Sequence, residues 1–208
     1  MELQYFGGNC LVLNSKETRL VVDDTLATMG GKSVLKAGDV ALFTGPRSGA
    51  LPETKLTVDQ PGEYEVANVS ITGIPAQSHM DEKGQHTATM YKVVIGDTSF
   101  LFTGHIYPEL NDEQLEEIGM IDVMVVPVGG NGYTLDGVGA LKLIKEIEPK
   151  VIIPTHYDDK SLNFEVPQQT LDQAIQSLGM ELKETVPKLK MKTTELVDTT
   201  QLIVLERS

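Results

Sequence analysis

The run Val151-Ile152-Ile153-Pro154-Thr155-His156 is a short apolar stretch that breaks off at a histidine. The same arrangement recurs upstream. Ser99-Phe100-Leu101-Phe102 runs into Thr103-Gly104-His105, and Ile71-Thr72-Gly73-Ile74 runs into Pro75-Ala76-Gln77-Ser78-His79. Arg19-Leu20-Val21-Val22 leads to Asp23-Asp24, and Val123-Met124-Val125-Val126 leads to Gly129-Gly130-Asn131-Gly132. Apolar runs of this length, rich in β-branched and aromatic residues, read as buried strands. Ligands of sheet-and-helix proteins collect beyond the carboxyl ends of such strands. Three of the four histidines stand just past one. Histidine is the commonest metal ligand and a frequent acid/base group, so His79, His105 and His156 mark this edge as the candidate site. His86, in the polar stretch after Asp81, reads as solvated.

Working outward, the first half of the chain reads as strands, including Leu11-Val12-Leu13 and Val40-Ala41-Leu42-Phe43. Residues 55–75 carry strand-like stretches broken at Pro61-Gly62 and Asn68, and residues 90–102 read as a hairpin turning at Gly96-Asp97. The second half alternates. Helices are expected over 111–119, 135–147 and 167–178, the last with proline in its first turn. Strands are expected at 121–126, 151–153 and 201–206. No repeat, low-complexity tract or linker divides the chain, so residues 1–208 read as one domain. Strands followed by mixed strands and helices suit two packed sheets with helices outside.

Composition narrows the function classes. The formal net charge is −13, against which nucleic-acid binding, driven by Lys and Arg on phosphates, is not expected. Lys188, Lys190 and Lys192 alternate and read as a solvated edge strand protected by lysines. Cys10 is the sole cysteine; it sits in an apolar run and reads as a small buried hydrophobe. The N-terminus has no signal-peptide pattern, and no apolar run approaches the ~20 residues of a membrane helix. The expectation is a cytoplasmic protein without membrane association. Gly30-Gly31-Lys32-Ser33 lacks the first glycine of a phosphate loop, Leu26 standing in its place. Gly129-Gly130-Asn131-Gly132 reads either as a tight turn or as a backbone anion cradle.

Taken in order, Pro61-Gly62-Glu63-Tyr64-Glu65-Val66, Asp112-Glu113-Gln114-Leu115, Pro127-Val128-Gly129-Gly130 and Ile153-Pro154-Thr155-His156-Tyr157 resemble the metallo-β-lactamase superfamily, closest to its UPF0173-like metal-dependent hydrolase branch. The resemblance implies an α/β fold, the four-layer αββα sandwich, with a metal site at the strand-end edge. It also implies a His-x-His-x-Asp-His loop after Val40-Ala41-Leu42-Phe43. The chain has Thr44-Gly45-Pro46-Arg47-Ser48-Gly49-Ala50 there, with Gly45, Arg47, Gly49 and Ala50 at the ligand positions. Gly8 stands at a further histidine position, and His105 replaces the metal-bridging aspartate. His156 matches the last histidine ligand, His79 lies near the middle one, and Asp23 matches an aspartate kept near the site.

Three readings follow. The chain is a non-catalytic homologue of a hydrolase that binds a small molecule or protein in the old cleft, where Arg47 would meet an acidic ligand. Alternatively, His79, His105 and His156 hold a single Zn²⁺ with an open position for water, and Asp23 or Asp24 orients a histidine or accepts a proton. In the third reading it is a self-associating structural protein, and a homo-oligomer is compatible with any of the three. Cofactor expectations are accordingly none or one Zn.

Overall fold

The computed structural model describes residues 1–47, 49–191 and 199–208; Lys192 of the lysine stripe lies outside them. In chain order the described strands are β1 (Glu2–Gly7), β2 (Cys10–Asn14), β3 (Arg19–Val22), β4 (Val40–Leu42), β5 (Leu56–Val58), β6 (Gly62–Val66), β7 (Val69–Ala76), β8 (Ala88–Ile95), β9 (Thr98–Phe102), β10 (Val123–Pro127), β11 (Val151–Thr155), β12 (Leu182–Val186), β13 (Leu189–Lys190) and β14 (Gln201–Leu205). The helices are α1 (Asp112–Ile118), α2 (Gly137–Ile147) and α3 (Leu171–Leu178). A six-stranded sheet runs β13-β1-β2-β3-β4-β5, and an eight-stranded sheet runs β12-β14-β11-β10-β9-β8-β7-β6.

Period-two alternation decides which side chains fill which layer. Leu3, Tyr5, Leu11, Leu13, Leu20 and Val22 of the first sheet meet Phe100, Phe102, Val123, Val125 and Ile153 of the second in one buried cluster. The opposite face of the second sheet, with Met90, Leu101, Met124 and Ile152, packs beneath the helices through Leu143, Ile144, Ala174 and Leu178. β10 and β11 are buried on both faces, so each reads as a continuous apolar run rather than an alternating one. Pro154 fits within β11 because the ladder to β14 covers only Val151 and Ile152. On the outer face of the first sheet Cys10, Val12 and Val21 pack against Leu162 and the 3₁₀ turn Leu26–Met29. Burial pushes the Cys10 thiol well above its ordinary range, as suits a hydrophobe.

The helix ends follow local chemistry. Asn111 caps α1 in a reciprocal box with Gln114, and Asp136 caps α2 through the Gly139 N–H. The third helix starts later than its proline suggested. Thr170 caps it in a box with Gln173, so Pro167 stays outside and its carbonyl accepts from the Asn131 side chain. The hairpin turning at Gly96-Asp97 is present as β8–β9. β1 and β12 were not expected, whereas β13 falls on the lysine stripe read as an edge strand. β13 is an edge strand, with Lys190 exposed and Lys188 paired to Glu2 at 2.9 Å.

Strand direction places the site. β9, β10 and β11 are mutually parallel, and β3 and β4 are parallel in the other sheet. β1 and β3 each run antiparallel to β2, so the β1–β2 turn falls on the same side as the ends of β3 and β4. Residues immediately after these strands therefore gather at one rim of the sandwich. Among the described residues, no helix is long and apolar enough to cross a membrane.

Candidate functional site

At that rim lies a cavity of about 530 Å³. Its walls include Asn9 from the β1–β2 turn, Asp23 after β3, Thr44 after β4, His105 after β9 and His156 after β11. Asn163 to Val166 with Gln168 close one side, and Ser78, Met80 and Asp81 another.

Two of the expected residues curl into the left-handed backbone region as their strands end: Asp23 at φ 48° and His156 at φ 56°. Asp and His tolerate that region better than most residues. Each turn is held from the opposite strand end, Asp23 N–H on the Leu42 carbonyl at 2.9 Å and His156 N–H on the Gly8 carbonyl at 2.8 Å.

Both oxygens of the Asp23 carboxylate accept from Thr44. Thr44 donates its N–H to Oδ1 at 2.7 Å and its hydroxyl to Oδ2 at 2.6 Å. Burial raises the Asp23 pKa to about 6, against the opposing pull of those two bonds. Thr44 reaches it because residue 104 is glycine. That residue stands at φ 64°, and a Cβ there would overlap the Thr44 hydroxyl.

The two imidazoles stand edge to face, 4.5 Å between centroids at 90°. Gln168 donates its amide N–H to the Val166 carbonyl at 2.7 Å, which turns its oxygen toward His156 Nδ1 at 3.1 Å. An amide oxygen only accepts, so the network assigns the proton to His156 Nδ1 and the lone pair to Nε2. Asn9 works the same way on the other ring. Its oxygen accepts from the Thr155 hydroxyl at 2.8 Å, and its N–H₂ lies 3.2 Å from His105 Nε2. The His105 proton is thereby placed on Nδ1, which is buried with no hydrogen-bond partner among the described residues. Burial lowers the His156 pKa to about 4, partly offset by Gln168. For His105 burial acts first and the neighbouring His156 and His79 add to it, and its pKa falls well below the ordinary value. Both rings are neutral at pH 7.

The other sequence expectations fall elsewhere. His79 donates its backbone N–H to the His105 carbonyl at 2.8 Å, but its ring lies against Tyr107, 5.8 Å between centroids, and does not line the cavity. Arg47, expected to meet an acidic ligand in the cleft, also does not line it. Its Nε donates to Asp59 at 3.2 Å and its guanidinium lies 5.5 Å from the Phe43 ring centroid. His86 is exposed. The Gly129 segment serves as a turn: Gly130 N–H bonds the Leu135 carbonyl and the Gly129 carbonyl accepts from Gln169. A Cβ at Gly129 would overlap the Gln168 amide oxygen and the His156 carbonyl, so glycine here is what lets Gln168 reach the imidazole.

Sequence reasoning did not single out Asn9, Thr44 or Gln168. Asn9 adjoins Gly8, a position already flagged, and Thr44 follows a strand, so both carried a positional signal. Gln168 carried none, since it was assigned to a helix.

The β-lactamase superfamily domain model matches residues 2–156. The chain belongs to that family. A UPF0173 metal-dependent hydrolase of Nanoarchaeum equitans is 25% identical over 189 residues, covering 76% of this chain and 84% of that one. Counterparts in Carboxydothermus hydrogenoformans (36% over 64 residues, 31% of this chain) and Pyrococcus abyssi (24% over 137 residues, 64% of this chain) are matched over 28% and 59% of their own lengths, less than two thirds in each case. Among solved structures, a metallo-β-lactamase superfamily member from Thermotoga maritima shares the fold with TM-score 0.76 at 24% identity, covering 99% of this chain and 98% of the other. A metallo-β-lactamase fold protein of Bacillus subtilis shares it with TM-score 0.62 at 10% identity, covering 100% and 96%.

A family of metal-dependent hydrolases raises the question of whether these residues suit a metal. The donor chemistry at the rim does not. Among the described residues, no three His, Cys, Asp or Glu side chains are grouped to hold an ion. Of the rim groups, both Asp23 oxygens and His105 Nε2 are already hydrogen-bonded, and the inner nitrogens of both rings carry protons. Each Asp23 oxygen keeps a second lone pair beyond its bond to Thr44, and His156 Nε2 keeps its own, but two such side chains fall short of the three protein ligands a catalytic zinc takes.

Proposed function

We propose that this chain keeps the metal-dependent hydrolase fold but uses its rim cavity to bind a small molecule without a dinuclear centre. The observation that carries this reading is the short donor set: among the described residues no three His, Cys, Asp or Glu side chains are grouped to hold an ion, and Asn9 occupies His105 Nε2. The residues at the signature-loop positions, Gly45, Arg47, Gly49 and Ala50, offer no imidazole or carboxylate in support of a second ion. The cavity volume lies within the range of small-molecule sites.

The test is metal content. Protein purified without a metal-binding tag is incubated with excess Zn²⁺, desalted and measured by elemental analysis, beside His105→Ala and His156→Ala. The reading expects far less than one equivalent in all three. About one equivalent of zinc in the wild type, lost in both variants, would overturn it and return the protein to the hydrolases that a bound ion supports by activating water.

A further inference from the structure

The cavity has a one-sided charge pattern. Among its described lining residues are Asp23, Asp81 and Glu165, and no lysine or arginine. Two of these carboxylates serve the scaffold. Asp23 is held by Thr44, and Asp81 accepts from the N–H groups of Ser78 and Thr87 and from the Thr87 hydroxyl. Glu165 is exposed at the cavity wall.

Beside Glu165 stands a cluster of four rings. Tyr133 lies 5.1 Å from His105 and 6.1 Å from His156, and Phe164 lies 5.0 Å from His156, centroid to centroid. All four line the cavity. The Glu165 charge reaches this cluster: after burial, it is the further cause that raises the Tyr133 phenol pKa. Aromatic faces attract cations through their quadrupoles, and a cage of rings with a carboxylate at its edge is how proteins hold quaternary ammonium groups. Carboxylates and phosphates would meet no lysine or arginine among the described lining residues and would bring like charge to Glu165.

We propose that the cavity binds a small organic cation of the ammonium class, its charge against Tyr133 and Phe164 and balanced by Glu165. This rests on the reading of the cavity as a ligand site without a dinuclear centre. It narrows that reading to one ligand chemistry and moves the expected recognition of acidic ligands by Arg47 to the opposite sign.

Choline and its uncharged isostere 3,3-dimethyl-1-butanol are the probes. The two probes share the same hydroxyl and differ only in the charged quaternary nitrogen, which has no lone pair to ligate a metal, so the preference between them reports the cage and not an ion. Calorimetric titration of the full chain is expected to show choline about tenfold tighter than the alcohol. Glu165→Gln, an exposed substitution whose folding is checked by thermal melting, should remove most of that preference while leaving the alcohol unchanged. Phe164→Leu should weaken choline selectively. Equal affinity for the two probes, an unaltered preference in Glu165→Gln, or no choline binding at about 10 mM would each overturn the proposal. Zinc measured in the same preparation reports separately on the metal-free reading: a protein that holds zinc and still discriminates choline keeps this inference, and one that holds neither loses it.

Discussion

Replacing Thr44 with valine removes one hydroxyl and nearly nothing else. That hydroxyl donates to the buried Asp23 carboxylate at 2.6 Å, while the Thr44 backbone N–H holds the other oxygen and survives the change. A hydrogen bond to a charged group contributes about 1.5–3 kcal/mol, and an unmet buried acceptor is the expensive outcome. Above the Asp23 pKa of about 6 the variant should lose that full amount. The carboxyl can escape by taking a proton, so its pKa should rise by a further one to two pH units or so. The sign of the pH dependence follows. Folded Asp23 holds its proton up to about pH 6, whereas the unfolded residue releases it near 3.8. Its contribution to stability is therefore present below 3.8 and lost as pH rises through 6. At pH 5 the wild-type carboxyl is already largely protonated, and the valine variant should cost about 1 kcal/mol or less. Urea unfolding of wild type, Thr44→Val and Thr44→Ser at pH 5 and pH 8 measures this directly. Serine keeps the hydroxyl and should behave close to wild type at both. A valine penalty equal at the two pH values, or a serine variant as unstable as valine, would refute the account of Asp23.

Gly129→Ala should be among the most damaging single-methyl changes in the chain, about 3 kcal/mol or more, because the new carbon overlaps both the Gln168 amide oxygen and the His156 carbonyl; thermal melting checks it, and a fall in melting temperature no larger than that of a surface Gly→Ala would contradict the packing. His156 should make the protein acid-sensitive in a defined window. Its folded pKa of about 4 lies below the ordinary 6.5, so the stability it contributes is complete above 6.5 and is lost as pH falls through 4, about 3 kcal/mol in all. Asp23 opposes this between pH 6 and 3.8, so the slope should stand out most clearly in Asp23→Asn; a urea midpoint that stays flat in that variant from pH 7 to 4 would show that His156 is not buried neutral.

Much of the fold is written in local pattern. The uninterrupted apolar runs of β10 and β11 announce strands buried on both faces, and Asn111 with Gln114 announces a helix start. β1 was legible in principle, because Leu3 and Tyr5 alternate with polar residues. β12 was not: Leu182 to Thr185 are all exposed, so no burial pattern was imprinted on them. α3 illustrates competition between signals, with Thr170 and its reciprocal box overriding a helix-compatible proline. For the site, strand ends located Asp23, His105 and His156 correctly at one rim, since parallel order carries consecutive strand ends to the same side. His79 follows an equally plausible strand and yet turns its ring to Tyr107. Whether a side chain faces the cavity depends on the turn after the strand, which residue type and spacing do not encode. Arg47 likewise pairs with Asp59, and neither lines the cavity. Asn9 and Gln168 act by hydrogen bonds to rings 96 and 12 positions away, relations that no local window contains.

Asn9 joins His105 and Thr155, residues separated from it by 96 and 146 positions. The cavity therefore does not exist until both sheets are formed and docked, and its walls should be among the last parts of the molecule to assemble, as non-local contacts cost the most chain entropy to close. A molecule that fits the finished cavity has nothing to grip in the partly folded chain. Its benefit should fall on the lifetime of the folded protein, slowing unfolding while leaving the folding rate unchanged.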